Sequence, residues 1–349
     1  MEKLLTVVIP AYNAERYIKY TLDSLCSGCR KQAVYDHSNE LEILIVDDGS
    51  TDGTGDIADQ YADKYPEVVR VIHKENGGHG SGINCGIQEA SGRYMKVVDA
   101  DDWVDEDAFH NLLRALKKTK DDAVVSGFYW RFDNGTGEED TFPKEAEIKE
   151  PFKGVQYGIT YAFETVSSQI YMKMHGITWK TEILRQMPLS IDEHCYYVDA
   201  EYILYPIPWV KTVSFIPDFV YQYRIGREGQ SVSPEKMIRN QKNYEKVMSS
   251  LLAFYKECRN GGIECGEAQL HYIENGIARV AAGEIKILLS LPAAKEVRKK
   301  LIQLDQKLLR HYPAIYHANR NKAVTLLRVS RYRLYGMAVW ALKKSRRKF

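Results

Sequence analysis

The chain has 349 residues, 44% hydrophobic and 27% charged, with a net charge of +1, which suits one or two folded domains and excludes a disordered or fibrous polymer. No run of ~18 apolar residues is present, and Met1-Glu2-Lys3 leads directly into an apolar strand, so neither a membrane span nor a signal peptide is expected. From Arg320 onward there are ten Lys and Arg and no Asp or Glu, which leaves a net of about −9 on the rest and predicts an anionic partner surface for the basic end alone.

Leu4-Leu5-Thr6-Val7-Val8-Ile9 is a short continuous apolar run closed by Pro10, the pattern of a parallel strand buried on both faces. Ala14 to Leu25 carries apolar residues at helical spacing. After a polar connection around 28–40, Leu41–Val46 forms a second strand. Asp47-Asp48-Gly49-Ser50-Thr51-Asp52 is its loop, with Thr51 or Asp52 expected to cap a helix reaching Tyr65. Val68–Ile72 is a third strand, followed by Asn76-Gly77-Gly78-His79-Gly80 and a helix to about Ala90. Tyr94–Val98 is the fourth strand, Asp105–Lys118 a helix, and Ala123–Tyr129 a fifth strand.

This alternation predicts βαβ units and an α/β fold with a mostly parallel central sheet covered on both faces. Ligands of such sheets bind beyond the strand C-termini. The loops Pro10–Asn13, Asp47–Asp52, Asn76–Gly80 and Asp99–Asp102 all follow strand ends and should meet on one rim. Along an extended chain Asp99 and Asp101 point to one side and Asp102 to the other. Two carboxylates so close suit a hard divalent cation such as Mg²⁺ or Mn²⁺, which takes its remaining ligands from phosphate and water; a polar turn with a helix N-cap is the alternative. The first strand is not followed by G-x-G-x-x-G, and the chain has no G-x-x-x-x-G-K-[ST], which disfavours hydride transfer and P-loop chemistry. The six cysteines include one isolated Cys26-x-x-Cys29 and no second pair, so reduced thiols in a cytoplasmic setting are expected rather than a zinc site.

Val8-Ile9-Pro10-Ala11-Tyr12-Asn13, Val46-Asp47-Asp48-Gly49-Ser50-Thr51-Asp52, Asn76-Gly77-Gly78 and Asp99-Ala100-Asp101-Asp102 occur in that order over residues 4–130. Together they resemble the family 2 glycosyltransferases of GT-A fold. The resemblance implies an inverting, metal-dependent hexosyl- or N-acetylhexosaminyl-transferase. Its donor would be a nucleotide sugar, UDP first, and its acceptor a saccharide or lipid-linked saccharide, as in bacterial surface polysaccharide synthesis. It places the donor against Pro10, Ala11, Tyr12, Asn13, Glu15, Asp47, Asp48, Asn76, Gly77, Asp99 and Asp102, with Mn²⁺ or Mg²⁺ on Asp99 and Asp101; Asp102 shares the metal or faces the sugar. One departure stands out. Many members carry Ala-Arg-Asn where this chain has Ser81-Gly82-Ile83-Asn84, so the basic contact must come from elsewhere, with Lys74 and Lys96 the candidates; His79 is either a further phosphate contact or a solvated loop histidine.

The second half is less regular. Asp133 to Glu150 reads as a loop or weak hairpin, and Trp179 as a sugar platform or a core residue. Asp192 to Tyr202 is rich in ionisable residues and opens a helix at Asp199. The family usually has Glu-Asp here, whose Asp is the base. This chain has Val198-Asp199 with Glu201 beyond, which implies Asp199 as base and Glu201 as its substitute, against a plain helix cap and first-turn charge. The missing Glu and Arg leave a sugar-nucleotide-binding protein without transfer as the alternative. Trp209–Phe215 is a strand, and Val220–Arg224 with Gly229–Ser233 closes the catalytic region, Arg224 or Arg227 being suited to diphosphate. Domains are thus expected at 1–232, with a donor half 1–130 and an acceptor half 131–232, and at 233–349, helical at about 235–259, 266–290, 293–310 and 322–345. The last helix is basic with an apolar side, which suits an interfacial anchor on anionic lipid or a terminal helix packed on the body; no nucleic-acid module is recognisable.

Overall fold

Aliphatic runs without polar interruption can only be strands with both faces covered, and β1 (Lys3–Ala11) and β2 (Leu41–Asp47) are buried along nearly their whole length. The computed structural model describes residues 3–29, 37–134, 138–226, 230, 234–291 and 294–346. It divides into two units, Met1–Glu228 and Gly229–Phe349.

In the first unit β1 lies between β2 and β4 (Gly92–Val97), both parallel to it, and β3 (Val69–His73) extends the parallel set beyond β2. The crossovers are α1 (Ile18–Leu25), α2 (Thr54–Lys64) and α3 (His79–Glu89). After β5 (Trp103–Val104) comes α4 (Glu106–Lys118), capped by the Asp105 side chain. Its Phe109, Leu112, Leu113 and Leu116 join one core with Leu5, Val7, Ile9, Leu22 and Ile43.

The sheet then departs from simple alternation. β6 (Ala123–Phe132) does not pair with β4. The short β9 (Ile177–Lys180) inserts between them, antiparallel to both, and Trp179 faces Met95 on one side and Ala123 on the other. The fully buried Trp179 is therefore a core residue and no sugar platform. β10 (Thr212–Ile225) runs parallel to β6; it joins the expected strand 209–215, from Thr212 on, to Val220–Arg224, while Trp209 closes a short 3-10 turn before it. The order is β3-β2-β1-β4-β9-β6-β10-β5, with β7 (Lys144–Ala146) on β6 and β8 (Thr160–Ala162) on β10. β7 makes part of the 133–150 segment a hairpin with β6. Short helices α5 (Phe163–Val166), α6 (Thr181–Arg185) and α7 (Asp199–Leu204) complete the unit.

The second unit is helical: α8 (Pro234–Arg239), α9 (Gln241–Asn260), α10 (Glu267–Ser290), α11 (Lys295–His311), α12 (Pro313–Ala318), α13 (Lys322–Val329) and α14 (Tyr335–Arg346). The single helix expected over 322–345 is broken at residues 330–334. Arg331 and Tyr332 have positive φ there, which no helix permits. Among the described residues no helix is long and apolar enough to cross a membrane.

Candidate active site

Because β1 to β4 are parallel, the four motif loops open on one rim, and hydrogen bonds knit them together. The Asn13 side chain accepts from Thr51 N (2.8 Å), and Asn13 N donates to the Ser50 hydroxyl. Glu15 accepts from Gly53 N at 3.0 Å. Buried Asp48 accepts from Gly77 N (2.9 Å), Gly78 N (2.6 Å) and Lys74 Nζ (2.8 Å), while Asn76 donates to the Asp48 carbonyl. Asp47 accepts from Ser50 N and pairs with His73; burial opposes its ionisation, but these bonds hold its carboxyl below the usual range. Pro10 and Ala11 end β1 beside this network, and Tyr12 is the exposed aromatic of the rim. Most of the implied donor residues thus brace the loops, and Tyr12 is the one that projects.

Beyond β4 the chain turns rather than continuing extended. Asp102 N donates to the Asp99 carbonyl at 3.0 Å, so the expected alternation of side chains fails and Asp102 comes beside Asp99. Tyr221 of β10 donates its hydroxyl to Asp102 (2.5 Å), and Arg224 N donates to the other oxygen (2.8 Å). Burial, reinforced by the charges of Asp101 and Asp99, raises Asp102 well above the usual carboxylate range. The ligand atoms of Asp99, Asp102 and His175 all lie within 4.8 Å of one another. Sequence reading pointed to Asp99 with Asp101 as the metal pair; Asp101 lies outside this trio, although its charge reaches His79 and Tyr223.

His175 carries no local motif and escapes a sequence reading. It stands just before β9, ringed by Phe128, Tyr221 and Tyr223 at 4.3 to 5.0 Å. Burial lowers it to about 4, so the imidazole is neutral and able to ligate, and among the described residues its buried Nδ1 has no hydrogen-bond partner. Two carboxylates and an orphaned neutral imidazole nitrogen fit a divalent cation.

The two lysines expected to replace the missing arginine are otherwise engaged. Lys74 bonds Asp48. Lys96 is fully buried, donates to the His175 carbonyl at 2.7 Å, and is lowered to about 7 by burial. The cation at the rim is His79, the first residue of α3, whose Nε2 lies 2.8 Å from Asp99. Burial opposes its protonation, but Asp99, then Asp199 and Asp101, raise it to about 9. Arg224 is buried, with Nε on the Asp101 carbonyl and its guanidinium beside Tyr17, Trp103 and Phe142, so it supports the turn rather than reaching into the open. Arg227 and residues 231–233 lie outside the described residues.

Glycine brings the second half of the site to the rim. A Cβ on Gly80 would lie 2.2 Å from the Asp192 carbonyl, and Gly78 adopts φ +85° against His194. The 191–198 segment therefore lies directly on the start of α3 and passes through two positive-φ residues, His194 and Tyr197, before α7. Asp199 opens that helix half-exposed. Val198 holds the cap position, and among the described residues the Asp199 carboxylate makes no hydrogen bond. Its charge reaches His79, His175 and Tyr223. Glu201 is fully buried and accepts from Asp192 N at 2.8 Å.

The model for "Glycosyl transferase family 2" matches residues 6–174. The chain is similar to the uncharacterized glycosyltransferase EpsJ of Bacillus subtilis (strain 168), 26% identical over 90% of this chain and 88% of the relative. It is 28% identical to a poly(ribitol-phosphate) beta-glucosyltransferase of Bacillus spizizenii over 66% of this chain, but spans only 33% of that protein. The solved structure of S. aureus TarS residues 1–349 with UDP superposes with a TM-score of 0.59 at 18% identity, covering 99% of this chain and 91% of the other, a likeness of fold. Residues 6–174 thus match glycosyltransferase family 2, and the chain has the GT-A fold.

Proposed function

We propose that the first unit transfers a sugar, with inversion, from a nucleotide donor to a hydroxyl of a saccharide or lipid-linked acceptor in the synthesis of a surface polymer. UDP is the favoured nucleotide, in keeping with the UDP held by the TarS structure. The observation that carries the reading is the meeting of the Asp99, Asp102 and His175 ligand atoms within 4.8 Å of one another, beside Tyr223, whose ring lies 4.3 Å from that of His175. The hydroxyl of that tyrosine is raised first by burial and then by Asp102, Asp199, Asp99 and Asp101 in turn. Three of these carboxylates come from the turn after a parallel strand, where donor phosphates bind in α/β sheets. The fourth opens α7, after the segment that rests on the start of α3.

In this reading Asp99 and Asp102, with His175 and the adjacent Asp101, hold Mn²⁺ or Mg²⁺. Bound there, the cation would offset the negative charge that gathers on the departing diphosphate. Asp199 takes the proton of the acceptor hydroxyl as the oxygen attacks the anomeric carbon from the face opposite the nucleotide. Tyr12 lies against the nucleotide base, and the Asp48-braced glycine loop shapes the ribose pocket. The His79 imidazolium supplies the positive charge that the absent arginine would have given. Glu201 holds the 192 loop and takes no proton.

UDP release from a panel of UDP-sugars, with and without Mn²⁺, tests this. Asp199→Asn should lower kcat about 100-fold or more while UDP still binds. Metal-dependent UDP binding with no transfer to any acceptor or to water would instead favour the binding-protein alternative.

A further inference from the structure

Beyond sugar transfer, the second unit carries a surface that no step of the reaction uses. On their inner faces α13 and α14 bury Val324, Leu327, Tyr335 and Val339 against Ile285, Leu288 and Leu301. Their outer faces carry large apolar side chains at one-turn spacing: Leu326 and Val329 (54% and 78% exposed) on α13, Met337 and Trp340 (57% and 61%) on α14. Exposure of that extent on both helices that flank one turn suits an interaction surface.

The turn between the helices is built to present charge. Arg331 and Tyr332 are consecutive residues at φ 50° and 61°, a conformation costly for any non-glycine residue. A buried anchor holds it: Asp305 accepts from Arg328 Nε (3.0 Å) and Nη2 (2.6 Å) and from the Tyr332 hydroxyl. Arg328 also donates to the Tyr316 carbonyl and stacks 3.5 Å from that ring. With Arg328 and Tyr332 fixed, Arg331 and Arg333 stand exposed and, among the described residues, without an ion pair. With Val329, Ser330 and Leu334 they line a groove of about 350 Å³. No acidic residue occurs from Arg320 to the chain end.

We propose that α13, the turn and α14 form a docking surface for an anionic phospholipid bilayer. Arg331 and Arg333 take phosphate headgroups, and Leu326, Val329, Met337 and Trp340 enter the boundary between headgroup and acyl chain. Two unpaired guanidinium groups beside large apolar side chains match an interface that is anionic above and apolar below. A second copy would set like charges against one another, and a nucleic acid would leave the aliphatic side chains without a partner.

The test uses the full chain and co-sedimentation with vesicles of phosphatidylcholine alone or mixed with phosphatidylglycerol. Binding is expected only to the mixed vesicles and should weaken as salt rises. Arg331→Glu with Arg333→Glu should lower the partition coefficient about tenfold or more, and Trp340→Ser several-fold, with UDP release from the donor unchanged. Brominated lipid should quench tryptophan fluorescence in the parent chain, and this quenching should fall in Trp340→Phe; that measurement keeps the proposal testable if a charge-reversal variant misfolds. No binding to anionic vesicles, or binding indifferent to these changes, overturns the proposal. Self-association abolished by Trp340→Ser would assign the surface to a second copy, and equal affinity for single-stranded RNA would reduce it to general polyanion binding; both also overturn it.

Discussion

Replacing Glu201 by Gln separates two roles for the second acidic residue of α7. Its carboxyl is fully buried, with one oxygen on Asp192 N at 2.8 Å and the side chains of Asp192 and Tyr205 nearby. Burial comes first among the causes that raise it from 4.5 to about 8. A folded-state value above the unfolded one means that the folded protein holds the proton more tightly. The stabilisation is complete below about pH 4.5 and is lost as pH rises through about 8. About 3.5 pH units correspond to roughly 5 kcal/mol as an upper limit, and relaxation of the loop reduces this to ~2–4 kcal/mol. Gln keeps the volume and the acceptor but has no proton to lose. Glu201→Gln should therefore match the parent near pH 5 and exceed it by ~2–4 kcal/mol at pH 9, read from urea midpoints of intrinsic fluorescence. Its kcat for UDP release should stay within a few-fold of the parent. Parallel pH profiles for the two chains would refute the buried-proton argument. A collapse of kcat with the stability difference unchanged would make Glu201 the base.

Three further outcomes follow from the same geometry. Gly80→Ala puts a methyl 2.2 Å from the Asp192 carbonyl; displacing the loop should cost ~1–3 kcal/mol in thermal or urea unfolding and lower kcat by moving Asp199. Tyr221→Phe removes the hydroxyl that donates to Asp102 and accepts from Asp99 N, and leaving that buried carboxyl underbonded should cost ~1–3 kcal/mol by the same measurement. Chelation should abolish UDP release, and His175→Ala should raise the Mn²⁺ concentration for half-maximal activity about tenfold or more in a metal titration; an unchanged requirement would remove His175 from the metal site.

The parallel half of the fold was legible because strands buried on both faces leave unbroken aliphatic runs, and Leu4–Ile9 and Leu41–Val46 are such runs. Their loops were legible for a related reason: Asp48, Gly77 and Gly78 belong to one hydrogen-bonded unit that tolerates few other residues. What escaped depends on contacts far apart in sequence. Nothing around Met172–Lys180 says that a four-residue strand will slip antiparallel between β4 and β6, yet that insertion buries Trp179 and carries His175 to Asp99 and Asp102. Alternation set Asp102 on the side away from Asp99, whereas the turn bonded from Asp102 N to the Asp99 carbonyl brings Asp102 to it. The break at 330–334 has neither Gly nor Pro to announce it; the buried Asp305–Arg328 pair, 23 residues apart, holds it.

The departures from the usual family pattern are consistent with one another. Where many members carry Ala-Arg-Asn after the glycine loop, this chain has Ser81-Gly82-Ile83-Asn84, with Ile83 buried in the core. The small residues around it remove the side chains that would hold α3 away from its neighbours: a Cβ on Gly82 would lie 2.8 Å from Pro10, and one on Gly86 2.4 Å from Val8. Asn84 then grips the 191–198 segment in both directions, donating to the Ile191 carbonyl at 2.9 Å and accepting from Ile191 N at 3.0 Å. Together with Gly80 against Asp192, this makes α3 the seat on which the 191–198 segment rests, with Asp199 following at the rim. α3 thus positions the segment that leads to the proposed base. His79, one turn before Ile83 and paired with Asp99, leaves positive charge at the rim even though the usual residue is gone.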